Sequence, residues 1–459
     1  MRRGAHRGGT RGLAAVLAML GAAALSLCGC GGRGAPHEVW SRPNGQYSPY
    51  AAAAVDLNGD GYGDLLVGVP GGAEAYFGSP KGLSKAPDWV FRGDPAGSAG
   101  YCVGLAGRLD NGPGPLIFVS APRVQGRGVV YLFRLGPKGP EQRPCRVLVS
   151  PAKGEGFGER VVATGDLFGD GYGDLAVADF AWGQQRGRVY VYRGGPRGPG
   201  PDPVWQAQGE QTGDWFGYSL CGPGDLDGDG LADLVVGSKN CNGSCLTWLA
   251  NNPAFDLHRD YLFSPAYAQA QLLPMAGRLS VYYGSRKGLS LSPDLVMEGA
   301  GNHELFAYEL APAGKDADGR AQLLVGSLGY EGRRGLVELM HGAPKGEPLH
   351  RAWKSAGAVA NEGLGYAMAV VPGLGGKGVD GLLLGGTETD SAWALLPWGS
   401  PFEGMRRMRL LSGAPTHKRL SDVLGSAGDI YGDGRGAVFL MIPGMDGKLS
   451  VLSYGPSGE

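Results

Sequence analysis

Three stretches of this chain crowd carboxylates together at one fixed spacing: "DLNGDGYGDLLVG" from Asp56, "DLFGDGYGDLAVA" from Asp166 and "DLDGDGLADLVVG" from Asp225. Each places acids at positions 1, 5 and 9, with glycines between them and an apolar run directly after. Carboxylates this close repel one another unless a cation lies among them. Side-chain oxygens at positions 1, 3, 5 and 9, with a backbone carbonyl at position 7, suit a Ca2+ ion, which takes six to eight oxygen ligands. The first loop offers Asp56, Asn58, Asp60 and Asp64 with the Tyr62 carbonyl, and the last offers Asp225, Asp227, Asp229 and Asp233 with the Leu231 carbonyl. The middle loop offers Asp166, Asp170, Asp174 and the Tyr172 carbonyl, but Phe168 removes the side-chain ligand at position 3, so water or a carbonyl would have to substitute. None of the three is an EF-hand, because position 12 is Val67, Val177 or Val236 where that loop needs Glu. An Asp- and Gly-rich hairpin turn without metal is the competing reading. Two to three structural Ca2+ ions are expected, at the affinity of extracellular modules, roughly 0.1 to 1 mM.

A loop that recurs implies a frame that recurs. The apolar strand after each acidic loop, or after its degenerate equivalent, ends at Gly68, Ser120, Ala178, Gly237, Gly326, Gly385 and Met441. The steps are 52, 58, 59, 89, 59 and 56 residues, and the excess in the long one falls at about 239–277. Each unit reads as an alternating run, the loop, a continuous apolar strand, a third strand such as "GRVYVYRGG", and a fourth near Trp89, Trp205 or Trp353. One such sheet cannot bury both faces, whereas sheets arranged radially bury each other. The expected fold is all-β: a seven-bladed β-propeller of four-stranded antiparallel blades. "HEVWSRPNGQ" from His37 parallels the fourth-strand segment "DPVWQAQGEQ" from Asp202, so residues 37–42 are expected to close the final blade as its outer strand.

"FG" at Phe157–Gly158 and Phe216–Gly217, the acidic loops, and "VGVP" or "VSAP" after them resemble FG-GAP repeats, the units of the integrin α-chain N-terminal propeller and of many bacterial surface proteins. The resemblance implies a binding or adhesion role, with ligand recognition on the face opposite the metal loops. The insertion at 239–277, a second loop of its blade, lies on that face by alternation. Phe180, Trp182, Trp248 and Tyr261 form the expected ligand platform for a protein or glycan; packing of the insertion onto the propeller is the alternative.

The bulk composition agrees with a turn-dense β protein. Gly at 86 and Pro at 32 supply the turns, and 43% hydrophobic residues supply a core that a disordered chain lacks. A net charge of −1 gives no electrostatic reason to bind nucleic acid or an anionic membrane surface.

Residues 1–29 read as a signal peptide, with Arg2, Arg3, Arg7 and Arg11 before the apolar run "LAAVLAMLGAAALSLC". "LCGC" at 27–30 is similar to a bacterial lipobox, which makes Cys30 the acylated first mature residue, 30–36 a linker, and the location the bacterial cell envelope. Cys241 and Cys245 are close enough to bridge outside the cytoplasm, and free buried thiols are the alternative. "RGD" at Arg92–Asp94 falls on a connection where Gly and Asp are ordinary. No nucleophile elbow, Walker loop or HExxH is present, so no enzyme is expected. The alternatives are polysaccharide cleavage, for which His258 between Asp256 and Asp260 is the one acid/base cluster, and a structural envelope role without a ligand.

Overall fold

The computed structural model describes residues 37–43, 52–153, 156–239, 275–301, 303–376, 379–386, 391–398, 406–412, 424–442 and 448–453. Within them the chain is built from antiparallel sheets, with strands in sequence order except in the last, which the N-terminal strand completes, and for one short strand of blade two. Blade one runs through Ala52–Val55, Asp64–Val69, Gly72–Tyr76 and Trp89–Arg92. Blade two uses Val103–Gly107, Leu116–Ala121, Val129–Gly136 and Arg146–Val149. Blade three uses Arg160–Gly165, Asp174–Asp179, Arg188–Tyr192 and Trp205–Gln208. Blade four has Ser219–Gly224, Asp233–Ser238, Arg278–Tyr282 and Leu295–Glu298. Blade five has Glu309–Lys315, Ala321–Ser327, Leu336–His341 and His350–Ala356. Blade six has Ala367–Gly376, Val379–Gly385, Ser391–Trp398 and Arg406–Ser412. The last blade takes Leu424–Gly428, Ala437–Ile442 and Lys448–Ser453 from the C-terminal end and His37–Pro43 from the N-terminal end.

The expectation of seven four-stranded blades needs correction: among the described residues six sheets are four-stranded, and blade two has five strands. Its third strand, Val129–Gly136, is 8 residues long, against 5 in blades one, three and four. The overhang leaves unpaired backbone, and Gly139–Pro140 folds back to pair with Leu135 and Gly136. Gly139 has φ 86, and a Cβ there would collide with the Phe77 ring of blade one. The turn therefore requires glycine.

The second strand of blades one to five is buried at every position, as in Asp64–Val69 and Asp174–Asp179. A continuous apolar run is what a strand covered on both faces requires. The core is divided among the blade-to-blade interfaces. One cluster joins Ala73 and Trp89 of blade one to Ile117 and Val119 of blade two. Another joins Leu65 and Val67 of blade one to Trp40, Phe439 and Val451 of the last blade. First strands of successive blades touch all round, and the last blade's first strand meets that of blade one, so the ring is closed. Outer-strand tryptophans staple neighbours together: Nε1 of Trp40, Trp89 and Trp205 donates to the Ser84, Glu141 and Ser290 carbonyls at 2.9, 3.1 and 2.8 Å. In each case the carbonyl belongs to the next blade, so a single polar contact sets the spacing between blades.

The N-terminal strand pairs antiparallel with Lys448–Ser453, His37 opposite Ser453 and Pro43 opposite Lys448. Behind it, Glu74 is 3% exposed and accepts from Arg42 at 2.6 Å, Arg92 at 2.9 Å and the Tyr76 hydroxyl at 2.7 Å. The arginine of the "RGD" segment is thus held on the seam network, and Asp94 accepts from the Ala96 amide at 2.9 Å.

Candidate functional site

The acidic loops join the first and second strands of their blades, so all of them open on one face of the ring. Their internal wiring repeats. In loop one the Asp56 carboxylate accepts from the amides of Gly59 at 2.6 Å, Asp60 at 3.2 Å and Gly61 at 2.9 Å. In loop four Asp225 accepts from Gly228 at 2.6 Å, Asp229 at 3.1 Å and Gly230 at 2.8 Å. Position 1 thus folds the loop around its own charge.

Position 9 does a second job. Asp64 is fully buried; one oxygen accepts from Leu57 at 2.6 Å and the other from Gly78 at 2.8 Å. Asp174 repeats this with Leu167 and Gly194, both at 2.8 Å, and Asp233 with Leu226 at 2.6 Å and Gly284 at 2.8 Å. Each carboxylate ties the loop to the end of the third strand. Burial pushes Asp64 up to about 6 and both Asp174 and Asp233 up to about 7, against the pull of these amide donors. Each oxygen keeps a second lone pair for a cation.

In loop four, ligand oxygens of Asp225, Asp227 and Asp229 lie within 4.8 Å of one another. Burial, then the Asp229 charge, raises Asp227 above the ordinary carboxylate range. The donor set, all oxygen and concentrated on a turn, fits a Ca2+ or similar hard cation. In loop one the Asn58 amide donates to Asp60 at 2.9 Å, and Asp56, Asn58 and Asp60 occupy the equivalent positions.

The opposite face differs from expectation. Phe180 is 3% exposed and stacks on Trp215 of blade four, ring centroids 5.8 Å apart. Trp182 is half-buried beneath the Arg188 guanidinium, 3.5 Å from its ring centroid. Phe180 is thus packed rather than presented, whereas Trp182 has one ring face covered. An aromatic train continues from Trp215 through Tyr218 and Tyr308 to Tyr366, with Tyr218 donating its hydroxyl to that of Tyr308 at 2.9 Å. Lys239, 2% exposed, sits 3.8 Å from the Tyr218 ring centroid and 4.6 Å from that of Trp215. Beyond Lys239 the chain enters the insertion, which connects the second and third strands of blade four. Trp248 and Tyr261, the Cys241–Cys245 pair, the His258 cluster and Cys30, the residue expected to be acylated, all lie outside the described residues. Among the described residues Cys102, Cys145 and Cys221 are free.

Sequence reasoning missed a carboxyl pair beside this face. Glu159 and Asp179 are 6% and 2% exposed, and each leaves one oxygen, Oε2 and Oδ1, without a hydrogen-bond partner. The two oxygens flank Gly156, where a Cβ would collide with Asp179 Oδ1. Burial, then the Asp179 charge, pushes Glu159 up to about 8, while burial pushes Asp179 up to about 6. The signal was in the sequence: Glu159 stands where Tyr101, Tyr218, Tyr308 and Tyr366 stand in other blades.

The repeated blades and loops define a β-propeller that is similar to the FG-GAP repeat propellers of integrin α chains. The family model described as "FG-GAP repeat" matches residues 48–80, and "FG-GAP-like repeat" matches 166–236. The chain is 32% identical to integrin alpha-5 of Xenopus laevis over 209 residues and to integrin alpha-8 of Mus musculus over 213. Each match covers 42% of this chain and 20% of the relative. The chain therefore spans about a fifth of the length of these relatives. Among solved structures, BBS1N from its complex with ARL6DN superposes with a TM-score of 0.51 at 12% identity, covering 93% of this chain and 99% of that one. That likeness concerns the fold alone. No helix among the described residues is long and apolar enough to cross a membrane.

Proposed function

We propose that this chain is an extracytoplasmic binding protein of adhesion type, with no catalytic role, whose propeller is stabilised by Ca2+ at residues 56–64 and 225–233. The observation that carries the metal reading is the convergence of Asp225, Asp227 and Asp229 on one point of a loop whose backbone is already ordered. Asp56, Asn58, Asp60 and Asp64, with Tyr62, would hold the first ion, and Asp233 and Leu231 would complete the second. Such ions supply charge neutralisation and stiffen the hairpin tips; at roughly 0.1 to 1 mM affinity they are structural.

The likeness to integrin alpha chains favours a protein ligand, with a glycan as the other class. The insertion and the face beside Phe180 and Trp182 are the proposed recognition side. In this reading residues 1–29 direct export, and Cys30 carries acyl chains that hold the protein at the cell envelope. Titration calorimetry on the chain from residue 31 should show Ca2+ uptake, and Asp60→Ala with Asp229→Ala should abolish most of it. Absence of uptake by the unsubstituted chain would end the metal part of this proposal. Retention on immobilised glycans or protein ligands, without new reducing or unsaturated ends, separates a binder from an enzyme.

A further inference from the structure

We infer that loop three, residues 166–174, is closed to divalent cations because Arg193 supplies its positive charge from within the chain. This rests on the Ca2+ reading of the equivalent loops one and four. Arg193 Nε donates to Asp170 Oδ2 at 2.7 Å. The other Asp170 oxygen accepts from the Tyr172 amide at 3.1 Å. Asp166 accepts from Phe168, Gly169, Asp170 and Gly171, at 3.2, 2.6, 3.2 and 2.7 Å. Asp174 is bound to Leu167 and Gly194 as its counterparts are in loops one and four, so what sets this loop apart is the guanidinium on Asp170.

Phe168 then acquires a role. It is 5% exposed, and its ring centroid lies 4.9 Å from the Arg193 guanidinium carbon. The position that carries Asn58 or Asp227 elsewhere here holds an aromatic face against a cation, which attracts it electrostatically. The substitution that removes a metal ligand and the one that adds a guanidinium are two halves of one exchange.

Position along the third strand supports the exchange. Arg193 directly follows Arg188–Tyr192 and precedes Gly194, whose amide binds Asp174. The same position is Phe77 in blade one, before Gly78, and Tyr283 in blade four, before Gly284. The two blades with complete ligand sets thus have an uncharged ring there. Two other blades with incomplete sets turn a basic side chain into the first loop, whereas the sixth and last blades carry Trp398 and Tyr454 at this position. In blade two Arg134 binds Asp110 through both terminal nitrogens, at 2.9 and 2.5 Å, and a Cβ at Gly112 would collide with its guanidinium. In blade five His341 Nδ1 lies 3.9 Å from Asp316 and its other nitrogen meets Gln322 at 2.8 Å. In blades two and three the first loop thus takes a guanidinium from its own third strand.

The test counts ions by Ca2+ calorimetry and by Tb3+ luminescence titration, with circular dichroism melts to establish that each variant folds. Asp170→Asn should leave the count and affinities of the unsubstituted chain unchanged. Phe168→Asp combined with Arg193→Tyr should raise the count by one, and Asp170→Asn added to that pair should return it. Loss of an ion in Asp170→Asn alone, or no gain in the folded double variant, overturns the inference. An unsubstituted chain that binds no ion refutes the Ca2+ reading of loops one and four, yet a gain of one in the double variant would still uphold the role of Arg193.

Discussion

The carboxyl pair at Glu159 and Asp179 makes a quantitative prediction about pH. Glu159 titrates at about 8 in the folded chain against an ordinary 4.5. A carboxyl whose value is raised on folding keeps its proton where the unfolded chain has released it, so stability falls as pH rises from about 4.5 to 8. At about 1.4 kcal/mol per pH unit, the loss between pH 5 and pH 7 comes to roughly 2–3 kcal/mol. Asp179, raised from 3.8 to about 6, adds a loss of the same sign at lower pH. Arg123 and Arg160 pull Glu159 down, and Arg188 does the same for Asp179, but burial dominates both. Glu159→Gln removes the ionisation while keeping the shape, and its amide can donate to the orphan Asp179 oxygen. Urea melts at pH 5, 6, 7 and 8 and constant Ca2+ should give a native midpoint that falls with pH and a variant profile that falls much less. The variant should be the more stable protein at pH 8 by roughly 2–4 kcal/mol. Parallel profiles would refute the assignment of a proton to this pair.

Other outcomes follow from the packing. Trp40→Ala removes a side chain 8% exposed, set edge-on to Tyr76 at 4.8 Å, and should cost about 3–5 kcal/mol, with proteolysis appearing first at the seam. Arg134→Met leaves Asp110 without its guanidinium and should destabilise by about 1–3 kcal/mol at neutral pH, read by thermal melting. Asp110 is held below the ordinary carboxylate range chiefly by its Arg134 hydrogen bonds, so its contribution is present above pH 4 and lost as pH falls through its folded-state value. The variant's midpoint should therefore fall less steeply on acidification. Burial pushes the Cys221 thiol up and shields it, so mass-spectrometric mapping with iodoacetamide should find Cys221 modified only after unfolding.

What could be read from the residues, and what could not, divides by distance along the chain. The acidic loops and the strands after them, such as Asp64–Val69, are written in consecutive residues: glycines for the turn, acids for its wiring, then an unbroken apolar run. The outer strand at His37–Pro43 was legible because its tryptophan has the same neighbours as Trp205. The fifth strand of blade two has 2 residues, too few to show a period. Phe180 looked exposed because it stands at a strand end, but Trp215, a blade further on, covers it, and Arg188 lies over one face of Trp182. Arg193 reaches Asp170 across 23 residues, so local spacing cannot show it. Comparing the residue before Gly78, Gly194 and Gly284 across repeats would have done so.

The strand that completes the last blade is synthesised before any other in the ring, and its partner comes near the end. Ser450 and Glu38, hydrogen-bonded at 2.8 Å, are 412 positions apart. Drawing such distant segments together costs about 5 kcal/mol of chain entropy, recovered only once the intervening wedges have formed. The molecule behaves as a clasp: a chain interrupted during manufacture presents a bare sheet margin, and only a finished one can fasten.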